Sequence, residues 1–416
     1  MKPKILIIVR AYGKSGPQPI RFKNICRYLL SEYDITIIKK SFIKKTIVEY
    51  DGLIKIINLP YTRLGRILNS NNQSSEIRSI IKGNKTIVKK IRKYLSIIKL
   101  KRIIFPDPFI TEIPSLKKSI RSFIQKEHPE IVIGSAFPFS VMILGKYIKR
   151  NWSEIKWIFD IGDPFYKNSA MKKRFLHCLF SKYYENHYIG YIDKLIVTNL
   201  RTKEHYLKTF PKLNEKKINI VVQGTNLVYN KSIITKICNE FIIVYAGRFY
   251  KNLREPFNTW EAVNRYNGKK IKLDIYGKLD NYFMTKLNKI NTNGNIEYKG
   301  LVDHLKMKEI YQKSNAVLFI DNLYGLQTPG KIYEVLASSK PVLFVYNGKQ
   351  SPSYEIASKY SNVVMAENEI NEIEKAIELL INNYSDIANA IVDLDEYSWE
   401  NCAKKYIEII NELKNC

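Results

Sequence analysis

Short runs of apolar residues recur along the first half of the chain, with segments of helical length between them. The runs read KILIIV, DITIIKK, IKIINL, EIVIGSAF, IKWIFD and DKLIVTNL. Strands that alternate with helices favour βαβ crossovers, which produce a mainly parallel sheet covered by helices on both faces. Residues 1–225 are therefore predicted to form one Rossmann-like domain, whose last strand ends at Gly224.

A second alternation of strands and helices follows a polar connection near residues 225–240. Its strand candidates read FIIVYAG, IKLDIYG, NIEYKGLV, NAVLFID and PVLFVY, and its helices are expected to start near Leu253, Asp303 and Thr328. Residues 226–395 should form a second Rossmann-like domain, and 396–416 a terminal helix that packs back toward the first. The predicted fold class is α/β, with two parallel sheets that face each other across a cleft and bind ligands beyond the carboxyl ends of their strands.

The composition supports two globular domains. The 416 residues exceed what one hydrophobic core usually organises, and 45% of them are hydrophobic against 26% charged. Five scattered cysteines without a CxxC pair argue against a disulfide framework or a zinc site. The amino-terminal apolar run spans only about five residues and lacks a cleavage signal. Because no run reaches the ~18 apolar residues of a membrane span, we expect a soluble or membrane-peripheral protein in a reducing compartment.

The formal net charge of +29 indicates an anionic partner, which could be a nucleic acid, a phospholipid surface or a phosphorylated substrate. Residues 78–102 carry ten lysines or arginines and no acidic residue. Their apolar positions follow the spacing of one helical face; these are Ile87, Val88, Ile91, Tyr94, Leu95 and Ile98. The segment predicts a basic amphipathic helix suited to an anionic membrane surface, and a packed surface helix is the alternative.

The stretch QTPGKIYEVLA combines the start of a helix with a lysine and a glutamate three residues apart. Thr328 is expected to cap this helix and Pro329 to occupy its first position, where a missing N–H has no cost. Gly330 then leaves the backbone open to a ligand, and Lys331 adds positive charge at the helix start. Glu334 could accept hydrogen bonds from a pair of ribose hydroxyls. The pattern indicates a nucleotide site, and a capped structural helix with a solvated ion pair is the alternative.

Several stretches of the chain resemble one family. GLQTPGKIYEVLASSKPVL is similar to the donor-binding segment of family-4 (group 1) retaining glycosyltransferases of the GT-B fold. VYAGRFYKNLREP resembles that family's strand, glycine and basic residues, which implies donor binding at Gly247 and contact of Arg248 and Arg254 with the diphosphate. Arg248 is also supported without the resemblance, because it follows directly after an apolar strand and a fixed cation suits a diphosphate leaving group.

The next two strands match the same family. IKLDIYGKL and IEYKGLV correspond to its following strands, which implies donor contacts at Gly277 and, where the nucleotide base rests, at Tyr298 and Gly300. In the first domain, IFPDPF, VIGSAFPFS and WIFDIGDPF are similar to members that build bacterial cell-surface polysaccharides. The resemblance therefore covers most of the chain.

The resemblance also implies roles for residues of the first domain. The glycine-containing loop RAYGKSGPQPIRF would bring Gly13 and Gly16 to the donor. Asp163 follows a strand and is assigned to the acceptor side, with a capping aspartate as the alternative. The residues implied in catalysis are Arg248, Lys331 and Asp163. The family is thought to let the departing phosphate help to deprotonate the acceptor, so that no dedicated base is required.

Two positions depart from the family pattern. Leu326 stands where many relatives have the first of two paired glutamates, and Gly162 stands where they have an arginine. Asp160 and Asp163 are the residues of the DIGDPF motif that match.

The predicted function is transfer of a sugar, with retention of configuration, from a nucleotide-diphosphate sugar to a glycan acceptor. The acceptor is expected to be lipid-linked, in capsule, lipopolysaccharide or O-antigen synthesis, on the inner face of the cytoplasmic membrane. A hexosyltransferase that uses no cofactor and no metal is expected. The histidines are dispersed, and the close Asp-x-Asp pair, Asp393 and Asp395, lies near the chain end.

Two other functions are compatible with the sequence. A nucleotide-sugar epimerase, or a non-catalytic nucleotide-sugar binder, would share the two-lobed organisation. A basic nucleic-acid-binding protein would fit the charge, but the sequence has no recognised binding module and its cations concentrate on an apolar-striped segment. A nucleic acid is therefore not expected as a partner.

Overall fold

The computed structural model describes residues 2–13, 16–69, 103–168, 175–225 and 239–414. The predicted basic helix at 78–102 lies outside the described residues. The chain divides into two compact units: the first comprises Met1–Val222 with Cys402–Cys416, and the second comprises Gln223–Asn401. Among the described residues, no helix is both long enough and apolar enough to cross a lipid bilayer.

The first unit is built on a sheet of eight described strands. They are β1 (Lys4–Ile8), β2 (Asp34–Ser41), β3 (Ile47–Asp51), β4 (Ile54–Pro60), β5 (Ile131–Ser135), β6 (Lys156–Ile161), β7 (Lys194–Val197) and β8 (Ile218–Ile220). Their spatial order is β3-β4-β2-β1-β5-β6-β7-β8. All neighbours run parallel except β3 and β4, which form an antiparallel pair at one edge.

Helices alternate with these strands along the chain. They are α1 (Pro17–Leu29), α2 (Arg63–Asn69), α3 (Ile113–Glu127), α4 (Met142–Asn151), α5 (Phe175–Ile189) and α6 (Leu200–Thr209). Helix α3 buries Leu116, Ile120 and Ile124, which lie four residues apart on one face. Together with the buried strands they form the hydrophobic core of the first unit.

The second unit contains a sheet of six described strands, all parallel. They are β9 (Phe241–Ala246), β10 (Ile271–Tyr276), β11 (Ile296–Gly300), β12 (Ala316–Ile320), β13 (Val342–Tyr346) and β14 (Val363–Glu367), in the order β11-β10-β9-β12-β13-β14. The helices are α7 (Phe257–Arg265), α8 (Asn281–Ile290), α9 (His304–Lys313), α10 (Lys331–Ala337), α11 (Pro352–Ala357), α12 (Ile370–Asn382) and α13 (Tyr384–Ala388). The last helix, α14 (Trp399–Lys414), belongs to the first unit from Cys402 onward.

Every apolar run named from the sequence forms a strand. Central strands such as β5, β12 and β13 are buried along their whole length, because helices cover both faces of a parallel sheet. The terminal helix was also predicted. The edge strands β3 and β14 were not.

Two predicted boundaries are wrong. The strand expected to end at Gly224 ends at Ile220. Beyond it, the carbonyl groups of Val221 and Val222 accept hydrogen bonds from the guanidinium of Arg21, at 2.9 Å and 2.6 Å, and not from a further strand. The helix expected near Leu253 begins at Phe257, since the residues before it form a tight turn.

Candidate functional site

Three glycines stand at the carboxyl ends of the adjacent strands β9, β10 and β11. The N–H of Gly247 donates to the carbonyl of Tyr276, and the N–H of Gly277 donates to the carbonyl of Gly300, both at 2.9 Å. Gly277 and Gly300 have φ angles of 141° and 81°, which favour glycine. The loops after the three strands are therefore joined by backbone hydrogen bonds at one edge of the sheet.

A tight turn after β9 brings two arginines together. The backbone groups of Tyr250 and Arg254 exchange hydrogen bonds at 3.0 Å and 2.8 Å, and Asn252 within the turn has a left-handed φ of 58°. The Tyr250 ring lies 5.4 Å from the guanidinium carbon of Arg248 and 6.0 Å from that of Arg254. Cation–π contacts of this kind hold both arginines beside one aromatic ring.

Side chains from two other loops orient Arg254. Its Nη2 donates to Oδ1 of Asn322, which follows β12, at 2.8 Å. The neighbouring carboxylate of Asp321 is buried and accepts hydrogen bonds from Ser351 and from the N–H of Asn322. Burial raises the pKa of Asp321, and the charge of Arg254 is among the factors that oppose this rise. Burial also raises the pKa of Tyr245 to about 12.

Helix α10 supplies a third cation. Lys331 Nζ lies 2.5 Å from Oε1 of Glu334, and the hydroxyl of Tyr311 donates to the same oxygen at 3.3 Å. The predicted cap at Thr328 is wrong, because the helix begins at Lys331 with Gly330 as its N-cap residue. The N–H of Ile332 bonds to the carbonyl of Pro329 at 3.0 Å, so a turn precedes the helix and delays its start.

These residues surround a pocket of about 190 Å³. Arg248, Arg254 and Lys331 line it together with Gly247, and the buried strand segment of Leu318–Ile320 contributes apolar atoms. None of the described lining residues is acidic, and the ion pairs among the described residues include neither arginine. The volume is below the ~300–1,000 Å³ of typical small-molecule sites. A small polyanionic group fits it, since guanidinium groups bind phosphate oxygens in pairs.

The remaining predicted donor residues of the second unit are not among the described residues that line this pocket, and they differ in exposure. Thr328 and Pro329 are partly exposed in the loop before α10. Gly330 is exposed, and a Cβ added to it would lie 4.0 Å from Cγ of Gln223, an ordinary contact distance. The ring of Tyr298 packs against the core, and its hydroxyl donates to the carbonyl of Gly277 at 2.9 Å. Tyr298 therefore supports the loop after β10.

The predicted glycine loop of the first unit follows β1. Gly13 has a φ of 66° and Gly16 a φ of 124°, both in the region that favours glycine. Gly16 is the N-cap residue of α1, and the helix begins with Pro17. The N–H of Gly13 donates to the carbonyl of Pro19 at 3.3 Å, which folds the loop back onto the first turn of the helix.

The two matching aspartates of the DIGDPF motif have different environments. Asp160 is buried at the end of β6, where Arg21 Nε lies 3.0 Å from Oδ2 and the hydroxyl of Tyr406 donates to the same oxygen. Asp163 lies on the following loop and is partly exposed. Burial raises the pKa of Asp163 from 3.8 to about 6. Asp160 is thus held by buried contacts, whereas burial keeps the pKa of Asp163 above that of an ordinary aspartate.

Three residues that shape the pocket were not predicted from the sequence. Tyr250, Asn322 and Tyr311 position Arg248, Arg254 and Glu334 through contacts that form only in the folded chain. Only their positions offered a signal: Tyr250 and Asn322 follow buried strands, where ligand-binding loops of doubly wound sheets occur.

Two Rossmann-like units with parallel sheets, the second carrying a cationic pocket at its strand ends, define the GT-B class of fold. No protein-family model matches the chain, and no curated protein sequence matches it. Several solved structures match the chain over almost its full length. A glycosyltransferase from Rickettsia africae ESF-5 is 16% identical, with a TM-score of 0.64 and 99% of each chain covered.

Other solved structures share the fold over the same length. TarM is 14% identical with a TM-score of 0.65, and the E. coli trehalose-6-phosphate structure with bound UDP-2-fluoro glucose is 10% identical with a TM-score of 0.65; both alignments cover 99% of each chain. A UDP-N-acetylglucosamine 2-epimerase is 12% identical with a TM-score of 0.55, covering 99% of this chain and 96% of the epimerase. The predicted GT-B fold is confirmed.

Proposed function

We propose that the protein is a glycosyltransferase that moves a sugar from a nucleotide-diphosphate sugar to a glycan acceptor. The observation that carries the proposal is the pocket lined by Arg248, Arg254 and Lys331 at the strand ends of the second unit. Three cations around one small pocket suit the diphosphate of such a donor better than a neutral sugar or base. The shared fold of a glycosyltransferase and of a structure with bound UDP-2-fluoro glucose supports this donor class.

In the proposed reaction the bond between the anomeric carbon and the diphosphate oxygen breaks, and its electron pair leaves with the diphosphate. A bond forms between the anomeric carbon and an acceptor hydroxyl oxygen on the same face of the sugar, which retains the configuration. The hydroxyl proton passes to the departing diphosphate oxygen. Arg248 and Lys331 stabilise the negative charge that develops on the leaving group, a role that fixed cations perform in place of a metal ion.

Further contacts with the donor are proposed for other residues of the second unit. Glu334, held by Lys331 and Tyr311, is proposed to accept hydrogen bonds from the ribose hydroxyls. The open backbone at Gly300, where an added side chain would meet no atom within 4 Å, is proposed to lie beside the base, with Tyr298 beneath the loop. Roles in donor binding are likewise proposed for the other predicted positions: Gly13, Gly16, Gly247, Gly277, Arg254, Thr328, Pro329 and Gly330.

The acceptor is proposed to be a lipid-linked glycan, with Asp163 on the acceptor side of the reaction. This assignment rests on the resemblance of DIGDPF and its neighbouring motifs to family-4 enzymes of bacterial cell-surface polysaccharide synthesis. A hexosyl donor and a position on the inner face of the cytoplasmic membrane belong to the same proposal. The net charge of +29 supports an anionic membrane surface as a partner.

The test begins with calorimetric titration of UDP, GDP and their sugars into the purified protein. Binding of at least one nucleoside diphosphate is expected, and Arg248→Ala and Lys331→Ala should weaken it. Incubation of the bound donor with lipid-linked acceptors should then yield a product whose anomeric configuration, read by NMR, equals that of the donor. The proposal is wrong if no nucleoside diphosphate binds, or if both variants bind it as wild type does.

A second candidate is a nucleotide-sugar epimerase, favoured by the epimerase of the same fold with a TM-score of 0.55. It would use the same cationic pocket for the diphosphate but would need no acceptor. Incubation of the donor alone distinguishes the two: an epimerase gives a new sugar isomer without acceptor, and a transferase does not.

A further inference from the structure

Helix α5 buries several polar residues. The buried face carries His177, Tyr184 and Glu185. The carboxylate of Glu185 accepts hydrogen bonds from the backbone N–H groups of Phe165 at 3.2 Å and Tyr166 at 2.7 Å. A buried carboxylate is stable only where hydrogen bonds satisfy it, so these contacts fix the rotation of the helix about its axis. The opposite side of α5 is therefore held outward by the fold.

Four large apolar side chains occupy that outward side. The exposed fraction is 74% for Phe175 and for Tyr183, 56% for Leu179 and 48% for Phe180. Residues four apart lie on one side of a helix, so Phe175, Leu179 and Tyr183 form a line over the first turns, which Phe180 widens. We call these four residues the α5 face. Single exposed apolar residues are common, but a contiguous group marks an interaction surface.

Positive side chains border the α5 face. Lys182 is exposed beside it, whereas Glu185, the one carboxylate in the sequence of α5, is buried on the other side. Near the end of the helix, Lys146 Nζ lies 2.8 Å from Nε2 of His187. Burial lowers the pKa of this imidazole, and the charges of Lys146 and Lys212 lower it further. The surface thus combines aromatic and aliphatic side chains with exposed positive charge.

We infer that the α5 face inserts into the interface of an anionic lipid bilayer. The inference deepens the proposed function and rests on it, because it names the surface by which the protein reaches a lipid-linked acceptor. Phenylalanine, leucine and tyrosine enter the boundary of headgroups and acyl chains, while flanking lysines stay beside the lipid phosphates. A bilayer receives a convex helix without a matching groove, whereas a second copy of the chain would have to present one.

The test is co-sedimentation of the full-length protein with phosphatidylcholine vesicles, prepared with and without phosphatidylglycerol. Wild type is expected to bind the anionic vesicles, and the double variant Phe175→Ser/Leu179→Ser to bind them at least about tenfold more weakly, because two inserted apolar side chains are lost. Lys182→Gln should weaken binding to anionic vesicles only. The matched controls Leu53→Ser and Ile391→Ser, at positions 80% and 81% exposed, should bind as wild type does.

Several outcomes overturn the inference. Wild type that does not sediment with anionic vesicles contradicts it, and so does a double variant that binds them as tightly as wild type. A dimer detected by sedimentation velocity, lost in the double variant while vesicle binding is unchanged, would assign the α5 face to a second copy instead. Circular dichroism of the variants checks that they are folded.

Calorimetry of UDP and GDP with the same proteins separates this inference from the proposed function. Failure of every nucleoside diphosphate to bind, with vesicle binding still dependent on the α5 face, removes the proposed function and leaves the lipid surface. Normal nucleotide binding by a double variant that also binds vesicles normally removes the lipid surface alone.

Discussion

A Cβ atom added to Gly277 would lie 1.9 Å from the carbonyl oxygen of Gly247. The backbone of Gly277 therefore packs directly against that of Gly247, so the loops after β9 and β10 touch at these two glycines. Gly247 is followed directly by Arg248 of the pocket. Alanine at 277 would also have to adopt a φ of 141°, a region that residues with a side chain avoid. The backbone of both loops must therefore shift if any side chain is introduced.

We expect Gly277→Ala to lower the free energy of unfolding by roughly 3 kcal/mol, from strain and overpacking together. Gly294→Ala is the matched control: its φ of 70° is also left-handed, but no atom lies within 4 Å of the added Cβ. Strain alone should cost this variant about 1 kcal/mol. Urea-induced unfolding of both variants measures the difference, and equal losses would show that the approach of the two loops is unimportant.

Arg254 is predicted to bind the nucleotide diphosphate, and its orientation depends on Asn322. Arg254→Ala should weaken UDP or GDP binding roughly 10- to 100-fold, as expected for loss of hydrogen bonds to a charged phosphate. Asn322→Ala should weaken binding less, because the guanidinium remains but loses its 2.8 Å contact. Arg265→Ala, an exposed arginine of α7 paired with Glu261, is the control and should bind as wild type does. Titration calorimetry gives the three affinities.

Removal of divalent metal is predicted to leave the transfer reaction intact. Arg248, Arg254 and Lys331 supply positive charge at the pocket, so the leaving diphosphate can be stabilised without a metal ion. Dialysis against EDTA should therefore leave the initial rate of product formation unchanged, and added Mg²⁺ should not raise it. A rate that EDTA abolishes and Mg²⁺ restores would contradict the assignment of the charge-stabilising role to these side chains.

The parallel sheets could be predicted because a strand covered on both faces leaves a continuous apolar run, as in AVLFI of β12. Strand β3 could not, since IVEYD at the sheet edge is mostly exposed and has no continuous apolar run. The start of α10 was misjudged because Thr328, Pro329 and Gly330 form a common helix-start sequence, while the chain makes a turn there first.

Part of the site could be predicted from the same strand positions. Arg248 and Lys331 follow or flank buried strands and line the pocket. The partners that orient the cations could not be predicted: Asn322 lies 68 residues from Arg254 in the chain, and Tyr250 reads as an ordinary aromatic residue until the turn closes. Such contacts depend on tertiary structure, which a local pattern does not specify.

The activity is predicted to fall in acid with the titration of Asp163. Its pKa is raised from 3.8 to about 6 by burial, so the carboxylate predominates only above about pH 6. If the carboxylate contacts the acceptor, kcat/KM should rise with pH through about 6 and then level off. In Asp163→Asn this rise should be absent and the rate low throughout. A wild-type profile that is flat between pH 5 and 8, a range of about three units around that pKa, would exclude the role.

The raised pKa of Asp163 also predicts that the stability of the protein falls as the pH rises, whereas its activity increases. The folded state favours the protonated carboxyl, so the contribution of Asp163 to stability is complete below pH 3.8 and is lost as the pH rises through about 6. Asp163→Asn cannot lose a proton. The melting temperature of this variant, relative to wild type, should therefore increase between acid and neutral pH, and a constant difference would contradict the raised pKa.

Asp160 matches a motif of the resembled family, but its contacts predict a structural role. It lies beside Arg21, which is 1% exposed, and accepts a hydrogen bond from the hydroxyl of Tyr406. Asp160→Ala leaves a buried guanidinium without its carboxylate and should lower the free energy of unfolding by about 3–5 kcal/mol. Tyr406→Phe removes one hydroxyl and should cost about 1–3 kcal/mol. Glu215→Ala, at an exposed ion pair with Lys203, is the control and should cost under about 1 kcal/mol.

Denaturant unfolding of these variants gives the stabilities, and transfer assays at a low temperature, where Asp160→Ala is still folded, give the activities. A structural Asp160 predicts that activity per folded molecule stays within about threefold of wild type, because its carboxylate is buried and cannot reach a substrate. An Asp160→Ala protein as stable as wild type but inactive would instead place this carboxylate among the groups that contact the substrate.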